Sequence, residues 1–142
     1  MPTGPQSSPG GTVPTGLGQV EYRLARDATV REYRRGRLSR LDVCDAQPEL
    51  LRVARNLGKA SEVECPICEL ANLVHVSFAF GPQLPASGRA IDSKSELLSL
   101  ARSKERVDFY IVEVCVECGW NHLLRMFDAQ VARRRPRPAG RT

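Results

Sequence analysis

Val107–Trp120, VDFYIVEVCVECGW, is the stretch on which the fold turns. Its first eight residues are rich in β-branched and aromatic side chains and apolar on both faces, the pattern of a central strand. Two cysteines follow at once, Cys115-Val-Glu-Cys118, and then Gly119. Two residues between cysteines let a tight turn aim both sulfurs at one point. Glycine after the second accepts the backbone that turns N–H groups toward sulfur. Gly119 to Phe127 then reads as the antiparallel return, so the knuckle doubles as a hairpin turn.

Cys65-Pro-Ile-Cys68 repeats the C-x-x-C spacing upstream. Zinc wants four soft ligands in a tetrahedron, with thiolate sulfurs at about 2.3 Å. Cys65, Cys68, Cys115 and Cys118 are therefore expected to hold one structural Zn2+ in a ribbon-like fold. The 46 residues between the pairs exceed the roughly 15–20 of compact ribbons. A capped helix at Ser93–Lys104 and its Gly/Pro approach account for the excess, and doubling a loop costs only about 0.6 kcal/mol of closure entropy.

Working outward, Val74, Val76, Phe78 and Phe80 alternate with His75, Ser77 and Ala79, a strand with a period of two that Gly81-Pro82 ends. Ser93-Lys-Ser-Glu96 is a capping box. Upstream, Gln19 to Arg35 reads as a helix, with Val20, Leu24 and Ala28 at fourfold spacing and Gly36 as its stop. Ser39 and Asp42 cap a short second helix, and Pro48 opens a third that Gly58 ends. The expected fold is α+β: an N-terminal segment of two or three helices, then a zinc-ribbon-like antiparallel sheet with one inserted helix. The divisions are a disordered leader at 1–19, a basic helical segment at 20–60, the ribbon-like region at 61–128 and a disordered basic tail at 129–142.

A chain of 142 residues, 42% hydrophobic, suits one globular domain. No run approaches the ~20 apolar residues of a membrane span, and the N-terminus lacks the pattern of a secretory signal. The expected compartment is the cytoplasm, where five cysteines point to metal or redox chemistry rather than disulfides. The +5 net charge divides unevenly: +4 over residues 20–60, −4 over 61–132 and +5 over 133–142.

A redox C-x-x-C of the thioredoxin type would open a helix after a strand, whereas here a strand follows and a second pair is present. His75 or His122 could replace a thiolate, though a surface histidine is the commoner outcome. Cys44, unpaired, reads as a small buried residue. No nucleophile–base pair, phosphate loop or dinucleotide fingerprint occurs, four thiolates leave a zinc ion no open position, and the H-x-E of a deaminase is missing. A non-enzymatic protein is expected.

Arg23, Arg26, Arg31, Arg34, Arg35, Arg37 and Arg40 fall within eighteen residues. They form either a solvated helix face, part-neutralised by Asp27 and Glu32, or a phosphate-facing surface to which Arg23, Arg31, Arg34, Arg35 and Arg37 contribute. LSRLDVCDAQPELLRVARNLG has the proportions of a helix-turn-helix. The ribbon-like region, at −4 before its thiolates are counted, would repel phosphate and instead meet protein. The elements VCDAQPELLRVARNLG, CPIC and VEVCVECGWNHLL resemble a family of small uncharacterised actinobacterial proteins, a domain of unknown function, over residues 20–128. That resemblance implies an actinobacterial source and a zinc-ribbon-like end but no mechanism. It places Trp120, Asn121 and His122 in the signature, as packing over the site or as a partner surface. The expected function is binding to nucleic acid or to a component of the transcription or translation machinery. The alternatives are a protein-interaction module without nucleic-acid contact and a thiol redox sensor. No small-molecule substrate is evident.

Overall fold

The computed structural model describes residues 13–14 and 18–134. Most of the leader expected at 1–19 and of the tail expected at 129–142 lies outside the described residues. The elements run β1 (Val13–Pro14), β2 (Gln19–Glu21), α1 (Arg23–Arg34), α2 (Arg40–Val43), α3 (Pro48–Leu57), β3 (Lys59–Glu64), β4 (Asn72–Phe80), β5 (Arg89–Ile91), α4 (Lys94–Ala101), β6 (Asp108–Val114), β7 (Asn121–Asp128) and α5 (Ala129–Arg134). All the strands join one antiparallel seven-stranded sheet, in the order β1-β2-β7-β6-β4-β3, with β5 also on β4. No helix among the described residues is long and apolar enough to cross a membrane.

This overturns the expected fold of an N-terminal helical segment followed by a ribbon-like sheet with one inserted helix. The sheet begins before the first helix: β2 pairs with β7, Val20 opposite Met126. The helices are interspersed among the strands, and a fifth, α5, follows the last strand where a tail was expected. The reason is backbone bookkeeping. An edge on β7 would leave a row of open N–H and C=O groups, and the residues at 19–21 fill it.

The helices themselves stop and start on local chemistry. Gly36, at φ 79°, ends α1. Its N–H bonds Tyr33 O at 3.0 Å and the Arg37 N–H bonds Glu32 O at 2.9 Å, the paired bonds that satisfy a helix's last carbonyls. Ser39 and Asp42 exchange side-chain bonds with each other's backbone N–H to open α2. Pro48 opens α3, and Ser93 Oγ accepts the Glu96 N–H at 3.1 Å to open α4. Asp128 Oδ1 accepts the Val131 N–H at 2.9 Å, so the end of β7 caps α5.

Period two on the strands divides the core. Val76, Phe78, Val112 and Val114 lie on one face, packed with Ala54 and its neighbours on α3. Ala79, Phe109 and Phe127 lie on the other, near the sheet's α4 and α5 end. At the opposite end of that second face, Leu73 and Trp120 join Val30 of α1, Val43 of α2 and the thiols. Gln19 to Glu21 form β2 and not the first turns of the helix that fourfold spacing predicts; Tyr22, just before α1, is buried and its N–H bonds Leu124 O at 2.9 Å.

Asp108 faces Asp128 across β6 and β7. Burial first, and Asp128 after it, push the Asp108 carboxyl above its ordinary 3.8, against the pull of Arg106. A raised folded value means that this group's contribution is present below the unfolded pKa and lost as pH rises through the folded one. Asp108→Asn is therefore expected to raise the urea midpoint at pH 7 and leave it unchanged at pH 3.

Candidate metal centre

The antiparallel pairing of β4 with β6 puts Val74 opposite Val114. The turn that joins β3 to β4 and the turn that joins β6 to β7 thus emerge side by side at one end of the sheet. Each turn carries one C-x-x-C pair, and the two turns are built alike. Glu69 N–H bonds Cys65 O at 3.1 Å and Gly119 N–H bonds Cys115 O at 3.0 Å. Glu69 (φ 58°) and Gly119 (φ 93°) occupy equivalent left-handed positions. Gly119 has a second reason to be glycine: an added Cβ would stand 3.3 Å from the Cys44 carbonyl oxygen.

Sγ atoms of Cys65, Cys68, Cys115 and Cys118 all lie within 4.8 Å of one another. Cys65 to Cys118 is 3.7 Å and Cys68 to Cys115 is 3.6 Å. Sulfurs about 2.3 Å from a tetrahedral ion sit about 3.8 Å apart, so the spacing fits such an ion. Backbone N–H groups of Ile67, Leu70 and Trp120 point at the Cys65, Cys68 and Cys118 sulfurs, each at 3.4 Å, as thiolate ligands require. All five cysteines are free of disulfides. Burial pushes the Cys65 thiol up to about 11 and the Cys118 thiol up to about 12. Cys115 is raised by burial too. Burial also acts upward on Cys68, but the Leu70 N–H and the neighbouring sulfurs outweigh it and hold that thiol low. A bound cation would supply the charge that favours thiolate at all four. The four cysteines could therefore hold one metal ion.

Cys44 is not the small buried residue expected. It is half-buried, and its thiol donates to the Cys118 sulfur at 3.2 Å. It lies on a strap after α2 that the second knuckle holds at two further points: Ala46 N–H bonds Gly119 O at 3.0 Å, and Asn121 Nδ2 bonds Asp45 Oδ1 at 3.0 Å. Neither His75 nor His122 belongs to the ligand group, which among the described residues is the four cysteines alone.

Behind the knuckle lies Glu113, buried with 3% of its surface exposed. Its Oε2 accepts Arg26 Nε at 2.7 Å and Trp120 Nε1 at 2.8 Å. Trp120 is 1% exposed, so its ring packs beneath the knuckle rather than offering a surface. The ring stacks on His122, with centroids 5.9 Å apart. His122 Nδ1 bonds its neighbour's carbonyl, Leu123 O, at 2.8 Å. Of the front arginines, Arg23 pairs with Glu21, and Arg35 and Arg37 both pair with Glu32. Arg31 and Arg34 stand exposed on the last turn of α1. Sequence reasoning missed Glu113 and Cys44, whose partners are 87 and 74 residues away.

Native mass spectrometry is expected to find one divalent ion per chain, lost in Cys65→Ser and Cys118→Ser but kept in Cys44→Ser. Removing the ion with a chelator should lower the thermal midpoint, because a metal that binds only the folded chain stabilises it. Glu113→Ala strands Arg26 Nε and Trp120 Nε1 without an acceptor. Its urea denaturation should show a loss of about 3 kcal/mol, with Glu113→Gln milder because it still accepts the indole N–H.

Residues 14–140 match a family of unknown function (DUF5318), a longer span than the 20–128 of the sequence resemblance. The chain is 40% identical over 125 residues to uncharacterized protein Rv0049 of Mycobacterium tuberculosis (strain ATCC 25618 / H37Rv), covering 87% of this chain and 91% of that protein. It is equally similar, at 40% over 125 residues with the same 87% and 91% coverage, to uncharacterized protein Mb0050 of Mycobacterium bovis (strain ATCC BAA-935 / AF2122/97). No solved structure matches it. With a match over nearly its whole length, the chain belongs to this family of unknown function, DUF5318.

Proposed function

We propose that this is a non-enzymatic cytoplasmic protein in which one structural Zn2+ fixes the strap after α2 to the sheet, so that the arginines of α1 meet nucleic acid or a protein of the nucleic-acid machinery. The observation that carries the metal assignment is the set of four thiols within 4.8 Å. A four-thiolate site favours zinc among the common ions and leaves no position for substrate, which argues against catalysis. Five free cysteines fit a reducing compartment.

Support for the phosphate-facing reading is narrower than seven arginines within eighteen residues. Arg26 is taken up by Glu113, and Arg23, Arg35 and Arg37 have acidic neighbours. Arg31, Arg34 and Arg40 are exposed and form no ion pair among the described residues. They cluster around the Gly36 turn, where α1 hands over to α2. A second reading, docking to a protein through the metal end, draws on three exposed apolar residues near the thiols in sequence. These are Leu41 at 84%, Leu70 at 76% and Val63 at 50%.

Fluorescence anisotropy with a labelled duplex and a labelled single strand separates the two readings. In the chain truncated after Arg134, Arg31→Glu with Arg34→Glu should weaken binding at least tenfold and reduce the salt slope by about 2. Affinity that survives these changes counts against the arginine surface. A partner protein retained after nuclease treatment, and lost in Leu41→Asp with Leu70→Asp, would favour docking.

A further inference from the structure

The second face of the sheet is not evenly covered. α4 and α5 pack at one end of it and α1 at the other, and between them His75, Ser77, Ile111 and Arg125 are only half-buried. Along one edge of β4, β3 pairs at His75 and β5 pairs at Ser77, so the two short strands meet end to end. At this junction lies a pocket of about 550 Å³. That volume falls within the range of about 300–1,000 Å³ typical of small-molecule sites.

Its lining has two characters. Ile91, Leu97, Ile111 and Phe127 give an apolar floor and wall. Around them stand five cations, Lys59, Lys94, Arg102, Arg125 and Arg133, against one carboxylate, Asp92. Two of the five are positioned by what they touch: Arg125 lies over the Phe127 ring, 5.9 Å from its centroid, and Arg133 donates to Ala101 O at 2.5 Å. Lys59, Lys94 and Arg102 are exposed and form no ion pair among the described residues. His75, in the lining, is held below its usual range by burial first and then by Arg23 and Arg125, against Glu113. It therefore adds a neutral hydrogen-bonding group at pH 7 rather than a further charge. An ordinary solvated sheet face would carry both signs interspersed. Lys59, Lys94 and Arg102 bring like charges to the rim of one apolar hollow, and an anion placed among them relieves their mutual repulsion.

We propose that this pocket binds a small amphiphilic anion, a carboxylate or phosphate on an aliphatic or aromatic body. Its apolar part lies on Ile111 and Phe127, and its acid group lies among Lys59, Lys94 and Arg102. The site shares no residue with the thiols or with the arginines at the end of α1, so it stands or falls apart from the function proposed above. The chain's own residues 135–142 are a poor occupant, since their side chains carry +3 and no acid.

The test uses the full-length, metal-loaded protein and three soluble probes: anilinonaphthalene sulfonate, its uncharged counterpart N-phenylnaphthylamine, and phenyl phosphate. The sulfonate should bind one to one by fluorescence titration, and phenyl phosphate should displace it. The uncharged amine should bind at least tenfold more weakly. Lys59→Glu with Arg102→Glu, both on exposed positions, should weaken sulfonate binding at least tenfold while the thermal midpoint and metal content stay unchanged. Equal affinity for the charged and uncharged probes would overturn the proposal, as would indifference to the double charge reversal. So would sedimentation with phosphatidylglycerol vesicles in the absence of any soluble-probe binding, which would mean a lipid surface rather than a pocket ligand.

Discussion

Four thiol groups gathered at one end of a sheet impose the constraint that the rest of this molecule satisfies. Neutral thiols tolerate burial, but four thiolates do not without a cation and hydrogen-bond donors. Two hairpin turns supply the donors in nearly the same way. Left-handed residues at Glu69 and Gly119 swing the following N–H groups toward sulfur. Four thiolates around a divalent ion would still leave a charge of about −2, and the Cys44 thiol, which donates to the Cys118 sulfur, would meet part of it directly. The strap that carries Cys44 is therefore fastened to the knuckle by sulfur as well as by backbone. Through it α2 is tied to the sheet.

The same end of the sheet holds a second costly group, the buried Glu113 carboxylate. It stays because Arg26 and the Trp120 indole both donate to it. Breaking such a pair costs more than the pair gains over an apolar substitute, so its value is in fixing geometry rather than in net stability. Here the geometry is the seat of α1. A helix with only Val30 fully buried has little hydrophobic burial to locate it, and an ion pair at 2.7 Å does what packing does elsewhere. Trp120 joins this anchor to the metal site, since its backbone N–H faces Cys118 and its ring N–H faces Glu113.

What was legible in the sequence was what local chemistry decides. The helix ends at Gly36, Ser39, Pro48 and Ser93 lie where single residues satisfy or release backbone groups. β4, β6 and β7 carry enough apolar alternation to be read without tertiary knowledge. The short edge strands were not legible. Val20 falls into fourfold spacing with Leu24 and Ala28 by coincidence, and three residues on an edge give no period to contradict it. β3, Lys-Ala-Ser-Glu-Val-Glu, is exposed at five of its six positions and so has no apolar face to betray it. β5 hides in a Pro/Gly stretch. α5 was lost in a run of arginines because its cap, Asp128, is the last residue of the preceding strand. At the metal end, the spacing of the two pairs pointed to the four thiols, but nothing local in Cys44 or Glu113 names a partner more than seventy residues away.

Charge shows most clearly how the fold rewrites the chain. Along the sequence, residues 20–60 look like a basic block and residues 61–132 like an acidic one. In space the basic block is partly spent: Arg26 is half-buried against Glu113, and Glu21 and Glu32 attend three more arginines. The acidic block, meanwhile, contributes Lys94, Arg102 and Arg125 to one pocket, where Lys59 from the front and Arg133 from the tail join them. Field strength depends on separation and on the dielectric between charges, not on the order of residues. The densest positive field on the described surface need therefore not lie on the helix richest in arginine. It can lie on a sheet face to which the stretch that looks acidic along the sequence contributes three of the five cations.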